Sequence, residues 1–369
     1  MRSVSMFNRW GKSATHTIMA MDGRFSAAER LNSHVDYRIV LPPRRRGVGF
    51  YPLQLRKTIL STKPDLVVTY NWGAIEAALG CTLGKGCPVV HLEHGFANDE
   101  AKKLKQRRVI ARHFVLNRIH ATIVPSRELL DIALRQYRVR PAKVIWIPNG
   151  VDAERYTPGR DWEFRRSLGF SDSDVVFLSV GHLRPVKNLA LLMRAFAFAD
   201  VANARLLIVG NGPCRPELEQ LATELHIAER VVFAGATDST LPFYRAADAF
   251  ALSSATEQMP MALLEAMACA LPAISTDVGD VAEILGAHAG NRVVASQDCE
   301  AYAEALTAVA QAAVARAGAG AYNRARCASL YSLERMLTAY TEVYSSAASK
   351  PGLMAAPCRE PADLALNKS

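Results

Sequence analysis

The stretch SSATEQMPMALLEAMACALPAISTDVGD, residues 253–280, carries the pattern that decides the fold. It begins at the end of one apolar run, DAFALSS (248–254), and contains a second, LPAIST (271–276), with the helical segment PMALLEAMAC between them. Apolar runs that do not alternate strictly with polar residues are typical of parallel strands covered by helices on both faces. The stretch therefore predicts a strand, a polar loop, a helix and a second parallel strand.

Similar apolar runs alternate with amphipathic helical segments throughout the chain. Two successive series of this kind predict an α/β fold with two doubly wound, Rossmann-like domains. The first series consists of THTIMAMD (15–22), VDYRIV (35–40), DLVVTY (65–70), PVVHL (88–92), ATIVP (121–125) and KVIWIP (143–148). The second series begins with DVVFLSVG (174–181), RLLIVG (205–210) and RVVFAG (230–235) and ends with the two runs already quoted.

The domain boundary is predicted at IPNGVDAERYTPGR (147–160), where proline, glycine and asparagine are closely spaced. We expect one domain over residues 1–150 and a second over 151–328, since 369 residues suit two domains of about 150 residues. Residues 329–346 predict an amphipathic helix that returns to the N-terminal domain, and residues 347–369 a loose tail.

Charge is distributed unevenly along the chain. Residues 1–150 contain 25 lysines and arginines against 10 aspartates and glutamates, a net charge of +15, whereas residues 151–369 contain 19 against 25, a net of −6. A basic half suits anionic lipid, nucleic acid or a phosphorylated substrate, and the alternative is that the uneven charge serves solubility alone.

Composition excludes several classes of protein. Half of the residues are hydrophobic and 21% are charged, which excludes a mostly disordered chain. The seven cysteines are odd in number and contain no C-x-x-C pair, which argues against a disulfide framework or a thiolate zinc site and predicts a reducing compartment. No apolar run reaches the length of a membrane-spanning helix, no signal peptide is recognised, and no metal-ligand motif occurs.

Two glutamates in the quoted stretch are candidates for ligand binding. Glu257 lies in the loop before a helix that Pro260 would begin, and a helix N-terminus at the carboxyl edge of a parallel sheet binds phosphate or sugar hydroxyl groups. Glu265 lies inside this otherwise apolar helix, where a buried carboxylate needs hydrogen-bond donors. The alternative for Glu265 is a position on the solvent-exposed side of the helix.

Together, Glu257 and Glu265, the TDVGD turn, the segment VGHLRPVKN (180–188) and the hinge PNGVD (148–152) resemble the family 4 retaining glycosyltransferases. The resemblance covers residues 15–345. It implies the GT-B fold, in which two Rossmann-like domains face each other across a cleft. A nucleotide-sugar donor would then bind mainly to the second domain and the acceptor mainly to the first, with no metal ion or other cofactor.

The resemblance also implies the roles of individual residues. Glu257 would hydrogen-bond the donor sugar, Lys187 would bind the donor diphosphate, and His94, just past the run PVVHL, would face the donor sugar; these three form the predicted catalytic set. Fixed cations are needed because the leaving diphosphate gains charge in the transition state. The predicted donor-binding residues are Gly181, Arg184, Gly212, Met259, Met261, Leu264 and Glu265, the last of these for the ribose.

Four departures from the family pattern are visible. His182 stands where the family more often has arginine, and Arg184 is expected to substitute for it; Gln258 and Ala270 stand where the family often has glycine. MFNRWG (6–11) resembles the end of the family's first helix, so its opening strand and glycine-rich loop are expected to be absent, through a late start or a shortened domain.

Three further positions have alternative interpretations. Phe233 either contacts the nucleotide base or belongs to the core, which we favour, and His91 is expected to be a core residue. The segment AKKLKQRRVIARHFVLNRIH (101–120) predicts a basic amphipathic helix, with Lys102, Lys103, Lys105, Arg107, Arg108 and Arg112 near its start and a basic loop at Arg44–Arg46 to support it. Such a helix suits an anionic membrane, a solvated face is the alternative, and no nucleic-acid motif accompanies it.

The sequence thus predicts a retaining glycosyltransferase of the hexosyltransferase type. It would act on a glycan or lipid-linked acceptor in exopolysaccharide or cell-surface polysaccharide biosynthesis, in the cytoplasm and in peripheral contact with the inner face of the membrane. One alternative is a non-catalytic protein of the same fold that binds nucleotide sugar or assists assembly. A second is a sugar-nucleotide epimerase of the GT-B fold.

Overall fold

The computed structural model describes residues 2–45, 50–84, 86–95, 100, 104–199, 201–295 and 297–349. The chain divides into two compact units. The N-terminal unit comprises Met1–Pro125, Leu129–Ile147 and Leu337–Ser369, and the C-terminal unit comprises Ser126–Glu128 and Pro148–Met336. From residue 350 onward, the tail predicted from the sequence lies outside the described residues.

Every strand of the N-terminal unit falls within an apolar run that the sequence predicted. The strands are β1 (His16–Ile18), β2 (Tyr37–Ile39), β3 (Val67–Tyr70), β4 (Val89–Leu92), β5 (Ala121–Val124) and β6 (Val144–Trp146). The helices up to this point in the chain are α1 (Arg2–Trp10), α2 (Tyr51–Ser61), α3 (Ile75–Thr82), α4 (Gln106–Leu116) and α5 (Arg127–Asp131).

These six strands form two parallel sheets. One has the order β3-β4-β5-β6, and its inner strands β4 and β5 are buried at every position. The other contains β1 and β2 alone, and in the described part of the chain no strand pairing joins it to the first. Both sheets are parallel, as predicted.

The strands of the C-terminal unit also lie in the predicted runs, except that sequence reasoning missed the last one. They are β7 (Val175–Val180), β8 (Ala204–Val209), β9 (Val231–Gly235), β10 (Ala249–Leu252), β11 (Ala273–Thr276) and β12 (Arg292–Val294). The remaining helices are α6 (Trp162–Ser167), α7 (Leu189–Phe198), α8 (Arg215–Glu224), α9 (Leu241–Ala246), α10 (Met261–Ala268), α11 (Val281–Leu285), α12 (Cys299–Gln311), α13 (Ala313–Leu330) and α14 (Leu333–Ala348).

The C-terminal sheet is continuous and entirely parallel, in the order β12-β11-β10-β7-β8-β9. Helices cover both faces, and each face has its own hydrophobic core. The chain proceeds from β7 outward to β9, then returns to the other side of β7 with β10, so the strand order reverses between β7 and β10. In open α/β sheets, ligands bind at the carboxyl ends of the strands at such a reversal.

The C-terminal helix begins at Leu333 and not at Ser329 as predicted. Ser329 belongs to α13, and the chain then leaves helical geometry because Ser332 pairs with Val151 and the Leu333 amide donates to the carbonyl of Val151 at 2.9 Å. From Leu337 onward, α14 is part of the N-terminal unit. There the indole of Trp10 donates a hydrogen bond of 3.0 Å to Thr341.

Candidate functional site

The loops after β7 and β8 approach each other closely at the carboxyl edge of the C-terminal sheet. The Leu183 amide donates to the Asn211 carbonyl at 3.0 Å, and Leu183 accepts from the Cys214 amide at 3.1 Å. A Cβ atom at Gly212 would lie 2.3 Å from the carbonyl oxygen of Leu183. Gly212 is therefore required for this approach, and it supports the loop that carries Lys187.

An ion pair joins the loop after β7 to the loop after β10. Lys187 Nζ lies 2.5 Å from Glu257 Oε1, and the side chains are 25% and 16% exposed. Ser254 also donates to Glu257 Oε1 at 2.9 Å, while Ser253 donates to the Lys187 carbonyl at 3.0 Å. Two residues predicted for the site, 70 positions apart in sequence, thus meet where the strand order reverses.

A pocket lies at the same edge of the sheet, between the ends of β7, β8 and β10. Its lining combines backbone and hydroxyl groups with one cation and an apolar floor. The lining residues are Ser179, Val180, Gly181, Leu183, Lys187, Leu189, Ile208, Leu252, Ser253 and Ser254.

The loop that carries Glu257 is held in place by its backbone. Gly279 has a φ of +53°, and a Cβ atom there would lie 2.3 Å from the carbonyl oxygen of Glu257. The Asn149 side chain donates to the carbonyl of Met259 at 2.8 Å. Contacts of the loop backbone with Gly279 and Asn149 therefore fix where Glu257 emerges.

Helix α10 begins at Met261, one residue later than predicted, with Pro260 just before it. The first amides of a helix have no partner within the helix, so the start of α10 presents donors beside Glu257. Met261 is 40% exposed, whereas Met259 is buried. Leu264, predicted to lie in the donor pocket, is fully buried in a hydrophobic core.

Glu265 is partly buried and held by hydroxyl groups, so the alternative of a solvent-exposed position was wrong. Tyr244 donates to Glu265 Oε2 at 2.9 Å, and Thr240 donates to the same oxygen at 3.5 Å. Tyr156 in turn bonds Thr240 at 3.0 Å. Burial raises the pKa of Glu265, and hydrogen bonds from the two tyrosines and Thr240 offset this only in part.

The side chain of Gln258 is anchored within the C-terminal unit. Ser126 donates to Gln258 Oε1 at 2.7 Å, and Gln258 Nε2 donates to Glu128 at 3.2 Å. Asp280 holds the same short segment, because its carboxylate accepts from the Arg127 amide at 2.6 Å. Sequence reasoning missed Ser126 and Glu128, since nothing in the local pattern connects them with a loop 130 residues away.

The remaining predicted positions of the C-terminal unit differ in exposure, and of these Gly181 lines the pocket. His182 and Arg184 are both exposed. Phe233 is partly buried and packs against a core, as favoured, while its carbonyl accepts from Arg215 at 3.5 Å. Gly181 is covered by the Lys187 side chain, whose Cε would lie 3.4 Å from a Cβ there.

His94 lies in the N-terminal unit, two residues after the buried strand β4 ends at Leu92. Its amide donates to Asn71 Oδ1 at 2.8 Å, and its ring centre lies 6.0 Å from that of Tyr70. His91 is fully buried and bonds Thr69 at 2.8 Å, which agrees with its predicted place in the core.

The predicted basic helix is shorter and less basic on its surface than the sequence suggested. It spans Gln106–Leu116, whereas Lys102, Lys103 and Arg46 lie outside the described residues. Arg108 and Arg112 turn inward to buried carboxylates and so leave the solvated face. The exposed face of α4 instead presents two apolar side chains, Ile110 at 66% and Phe114 at 46% exposure, next to Arg107.

Neither a membrane-spanning helix nor a cluster of metal ligands occurs among the described residues. No helix in these ranges is both long and apolar enough to cross a bilayer. Nor do three or more potential metal ligands come together anywhere in the part of the chain that is described.

Comparison with known proteins places these features in a family. Residues 160–326 match the family described as glycosyl transferases group 1, and residues 13–155 match glycosyltransferase family 4. HepE of Anabaena, solved with UDP and glucose, superposes with a TM-score of 0.80 at 18% identity over 94% of this chain and 95% of its own. The two α/β units therefore define a GT-B fold.

Similar proteins of known activity identify the family to which the chain belongs. A D-inositol 3-phosphate glycosyltransferase of Geodermatophilus obscurus is 32% identical over 78% of this chain and 67% of its own length, and one of Actinosynnema mirum is 31% identical over 67% and 64%. An Escherichia coli UDP-Gal:alpha-D-GlcNAc-diphosphoundecaprenol alpha-1,3-galactosyltransferase is 29% identical over 61% of each chain. The chain belongs to the family 4 glycosyltransferases, and it spans slightly under two thirds of the Actinosynnema relative.

Proposed function

We propose that the protein is a retaining glycosyltransferase that moves a hexose from a nucleotide sugar to a glycan or lipid-linked acceptor. The observation that carries this proposal is the meeting of Lys187 and Glu257 at the strand reversal of the C-terminal sheet. A cation and a carboxylate at one edge suit the two halves of a nucleotide sugar, since the diphosphate needs positive charge and the sugar hydroxyls need an acceptor.

The surroundings of the pair support a nucleotide diphosphate as the leaving group. The start of α10 directs backbone amides to the same edge, which favours negative charge. Glu265, held on one oxygen by Tyr244, is suited to accept from ribose hydroxyls. The complex of HepE with UDP and glucose supports a UDP-sugar as the first donor to test.

The acceptor class is inferred from relatives and from the N-terminal unit. One relative is named for a diphosphoundecaprenol acceptor. We infer a lipid-linked acceptor in exopolysaccharide or cell-surface polysaccharide synthesis, with the enzyme on the cytoplasmic side of the membrane. Ile110 and Phe114, exposed beside Arg107, suit insertion between anionic headgroups.

Transfer is tested with a panel of UDP-, GDP- and ADP-sugars and cell membranes as the source of acceptor. We expect one donor to be consumed with sugar appearing in the lipid fraction, and both rates to fall by about 100-fold or more with Lys187→Ala. Arg166→Ala, which removes an exposed ion pair with Asp172 in the same unit, is the matched control and should retain activity. No turnover of any donor by the intact protein would contradict a transferase.

Retention is tested on the product. The anomeric proton coupling of the transferred sugar should match that of the donor when the reaction is followed by NMR. A product of opposite anomeric configuration would show that the stereochemical part of the proposal is wrong.

Membrane contact is tested by flotation with vesicles that contain either anionic or only zwitterionic lipid. We expect binding to the anionic vesicles and a loss of binding with the double substitution Ile110→Asp and Phe114→Asp. Substitution of Phe198, which is 75% exposed in the C-terminal unit, by Asp is the control. If the Ile110 and Phe114 double variant bound the vesicles as well as the Phe198 variant does, the proposed membrane contact at α4 would be wrong.

A non-catalytic nucleotide-sugar-binding protein is the second candidate. It is favoured by the exposed His182, which stands where the resemblance places a second phosphate-binding arginine. Thermal stabilisation by UDP without turnover of any donor, together with a phenotype that Glu257→Ala leaves unchanged, would support this candidate over the enzyme.

A further inference from the structure

A cluster of buried charges surrounds Arg112 in the N-terminal unit. Arg112 Nε lies 3.0 Å from Glu93, and its Nη1 lies 3.3 Å from Glu100. Arg108 adds a second cation at 2.9 Å from Glu100. The Arg112 side chain and both carboxylates are at most 2% exposed, so two cations neutralise two anions away from water.

Both carboxylates of this cluster are close to His94 in the sequence. Glu93 immediately precedes His94 and continues the ladder of β4, its amide donating to the Ile123 carbonyl at 3.0 Å. Glu100 follows His94 by six residues. A single guanidinium, that of Arg112, therefore binds one carboxylate on each side of His94 in the sequence.

A second set of contacts, through Trp72 and Asn71, also connects the cluster with His94. Arg112 lies over the ring of Trp72 at 5.0 Å, and Arg108 lies over the same ring at the same distance. Trp72 directly follows Asn71, whose side chain accepts from the His94 amide. Asn71 has a φ of +54°, a conformation that a non-glycine residue keeps only when its surroundings hold it.

Stability alone is a weak reason for such a cluster. Well-packed apolar residues of similar volume stabilise a core as well as a buried ion pair does, or better. What the planar fork of arginine adds is directional geometry, because it fixes two carboxylates at once. Here Arg112 binds Glu93, the residue before His94, and it packs on Trp72, the residue after Asn71, whose side chain binds the His94 amide.

We propose that Arg112 is a positioning residue, which sets the place of His94 for sugar transfer by holding Glu93, Glu100 and Trp72. This inference rests on the proposed function and on the role that the family resemblance implies for His94, which would face the donor sugar. A displacement of about 1 Å in a catalytic group is enough to lower a rate by about 100-fold, so loosening the cluster should reduce kcat.

The test is a double-mutant cycle between the cluster and His94. Arg112→Lys keeps the charge but loses the fork, and Glu100→Gln keeps the shape but loses the charge. Each should lower kcat by about tenfold or more in the wild-type background, with the KM for the donor changed less than about twofold. In a His94→Ala background, the same changes should alter the residual kcat by less than about twofold.

Arg135→Lys is the matched control, because its ion pair with Asp131 is exposed and lies in the same unit. An equal fold-loss of kcat in both backgrounds would mean that Arg112 acts on stability alone and would overturn the proposal. If Arg112→Lys does not fold, the double-mutant cycle with His94→Ala is measured with Glu100→Gln instead.

Hydrogen exchange gives a readout that does not depend on activity. The peptide containing His94 should exchange faster in Glu100→Gln than in wild type, while peptides of the C-terminal unit stay unchanged. Unchanged exchange at His94 would overturn the positioning role even where transfer is found. An inactive wild type with faster exchange at His94 in the variant would instead contradict the proposed function and leave the positioning of this residue supported.

Discussion

Two sets of opposite charges lie beside loops that follow buried strands, one set in each unit, and they differ in exposure. Around Arg112, the guanidinium and its carboxylates Glu93 and Glu100 are at most 2% exposed. In the C-terminal unit, Lys187 and Glu257 are 25% and 16% exposed, and Lys187 lines a pocket. Both sets bring opposite charges within hydrogen-bond distance, whereas the access of water and ligands differs between them.

This difference shows how burial separates two uses of charge. Removing one partner of a buried pair leaves an uncompensated charge in a medium of low dielectric constant, which costs about 3–5 kcal/mol. A partly exposed pair contributes about 1 kcal/mol or less, so a ligand can replace one partner. We therefore expect the Arg112 cluster to fix geometry and the Lys187–Glu257 pair to open for a substrate.

The strongest test of this contrast is Lys187→Ala. Loss of the cation should lower kcat by about 100- to 1000-fold, because the charge developing on the leaving diphosphate is no longer stabilised. The free energy of unfolding should change by about 1 kcal/mol or less, because the pair is partly exposed. Steady-state kinetics and chemical denaturation measure the two effects. A large loss of stability with normal kcat would reverse the assignment of roles.

Glu93→Gln should show the opposite behaviour, with a loss of about 3 kcal/mol in the free energy of unfolding at neutral pH. Burial alone would raise the pKa of Glu93, but His91 and Arg112 outweigh it and hold the pKa below the ordinary value of 4.5. Glu93 therefore stabilises the fold above about pH 4.5, and this contribution disappears as the pH falls from there through the lowered pKa. The free energy of unfolding, measured by denaturation at several pH values, should therefore vary less with pH in the variant than in the wild type.

The control for this experiment is Glu76→Gln, which removes an exposed ion pair with Arg45 in the same unit. Its stability should stay within about 0.5 kcal/mol of wild type. An equal loss of stability in both variants would mean that burial does not distinguish the Arg112 cluster.

Glu265→Gln should weaken the binding of a nucleoside diphosphate by about tenfold, as expected for loss of one charged hydrogen-bond acceptor. Because the pKa of Glu265 is raised, lowering the pH from neutrality toward it should protonate the carboxylate and reduce affinity. The same protonation should increase the free energy of unfolding, since the folded state binds this proton more tightly than the unfolded chain. Calorimetric titration and denaturation at several pH values measure these opposite signs.

The matched control here is Glu224→Gln, on an exposed helix face where its partner is Gln220. It should leave both pH profiles unchanged. A wild-type affinity that does not vary as the pH is lowered would argue against contact between Glu265 and the ribose.

The smallest expected effect is a gain in stability from Ala270→Gly, at a position where the backbone and not charge is involved. Ala270 has a φ of +59°, a left-handed conformation that costs an L-residue about 1 kcal/mol and costs glycine little. Thermal unfolding should show a rise in Tm of a few degrees at most. A fall in Tm would mean that the alanine side chain contributes more by packing than its backbone conformation costs.

Most of the sheet architecture was predictable because buried parallel strands are apolar along their whole length. Eleven strands overlap the runs read from the sequence, and β12 (Arg292–Val294) was missed because its two valines are too few to form an apolar run. The meeting of Lys187 and Glu257 was also predictable, since parallel strands place the loops that follow them at one edge.

The partners of buried polar groups were not predictable. Helical periodicity placed Arg108 and Arg112 on a basic face, but a long side chain with a buried carboxylate nearby can turn inward. Tyr244 and Thr240 reach Glu265 from 21 and 25 positions away in the sequence, a contact that no local pattern encodes. Sequence reasoning thus located the loops but not the contacts that hold their side chains.

The pairing of Glu257 with Lys187 has a kinetic consequence for the proposed reaction. A tethered carboxylate has a high effective concentration at the lysine, so under the proposed function Glu257 would compete with the donor phosphates for Lys187. While a donor is bound, its sugar would occupy Glu257; once the sugar has gone, the carboxylate is released to return to Lys187 and displace the spent nucleotide. The same carboxylate would then serve both capture of the donor and product release.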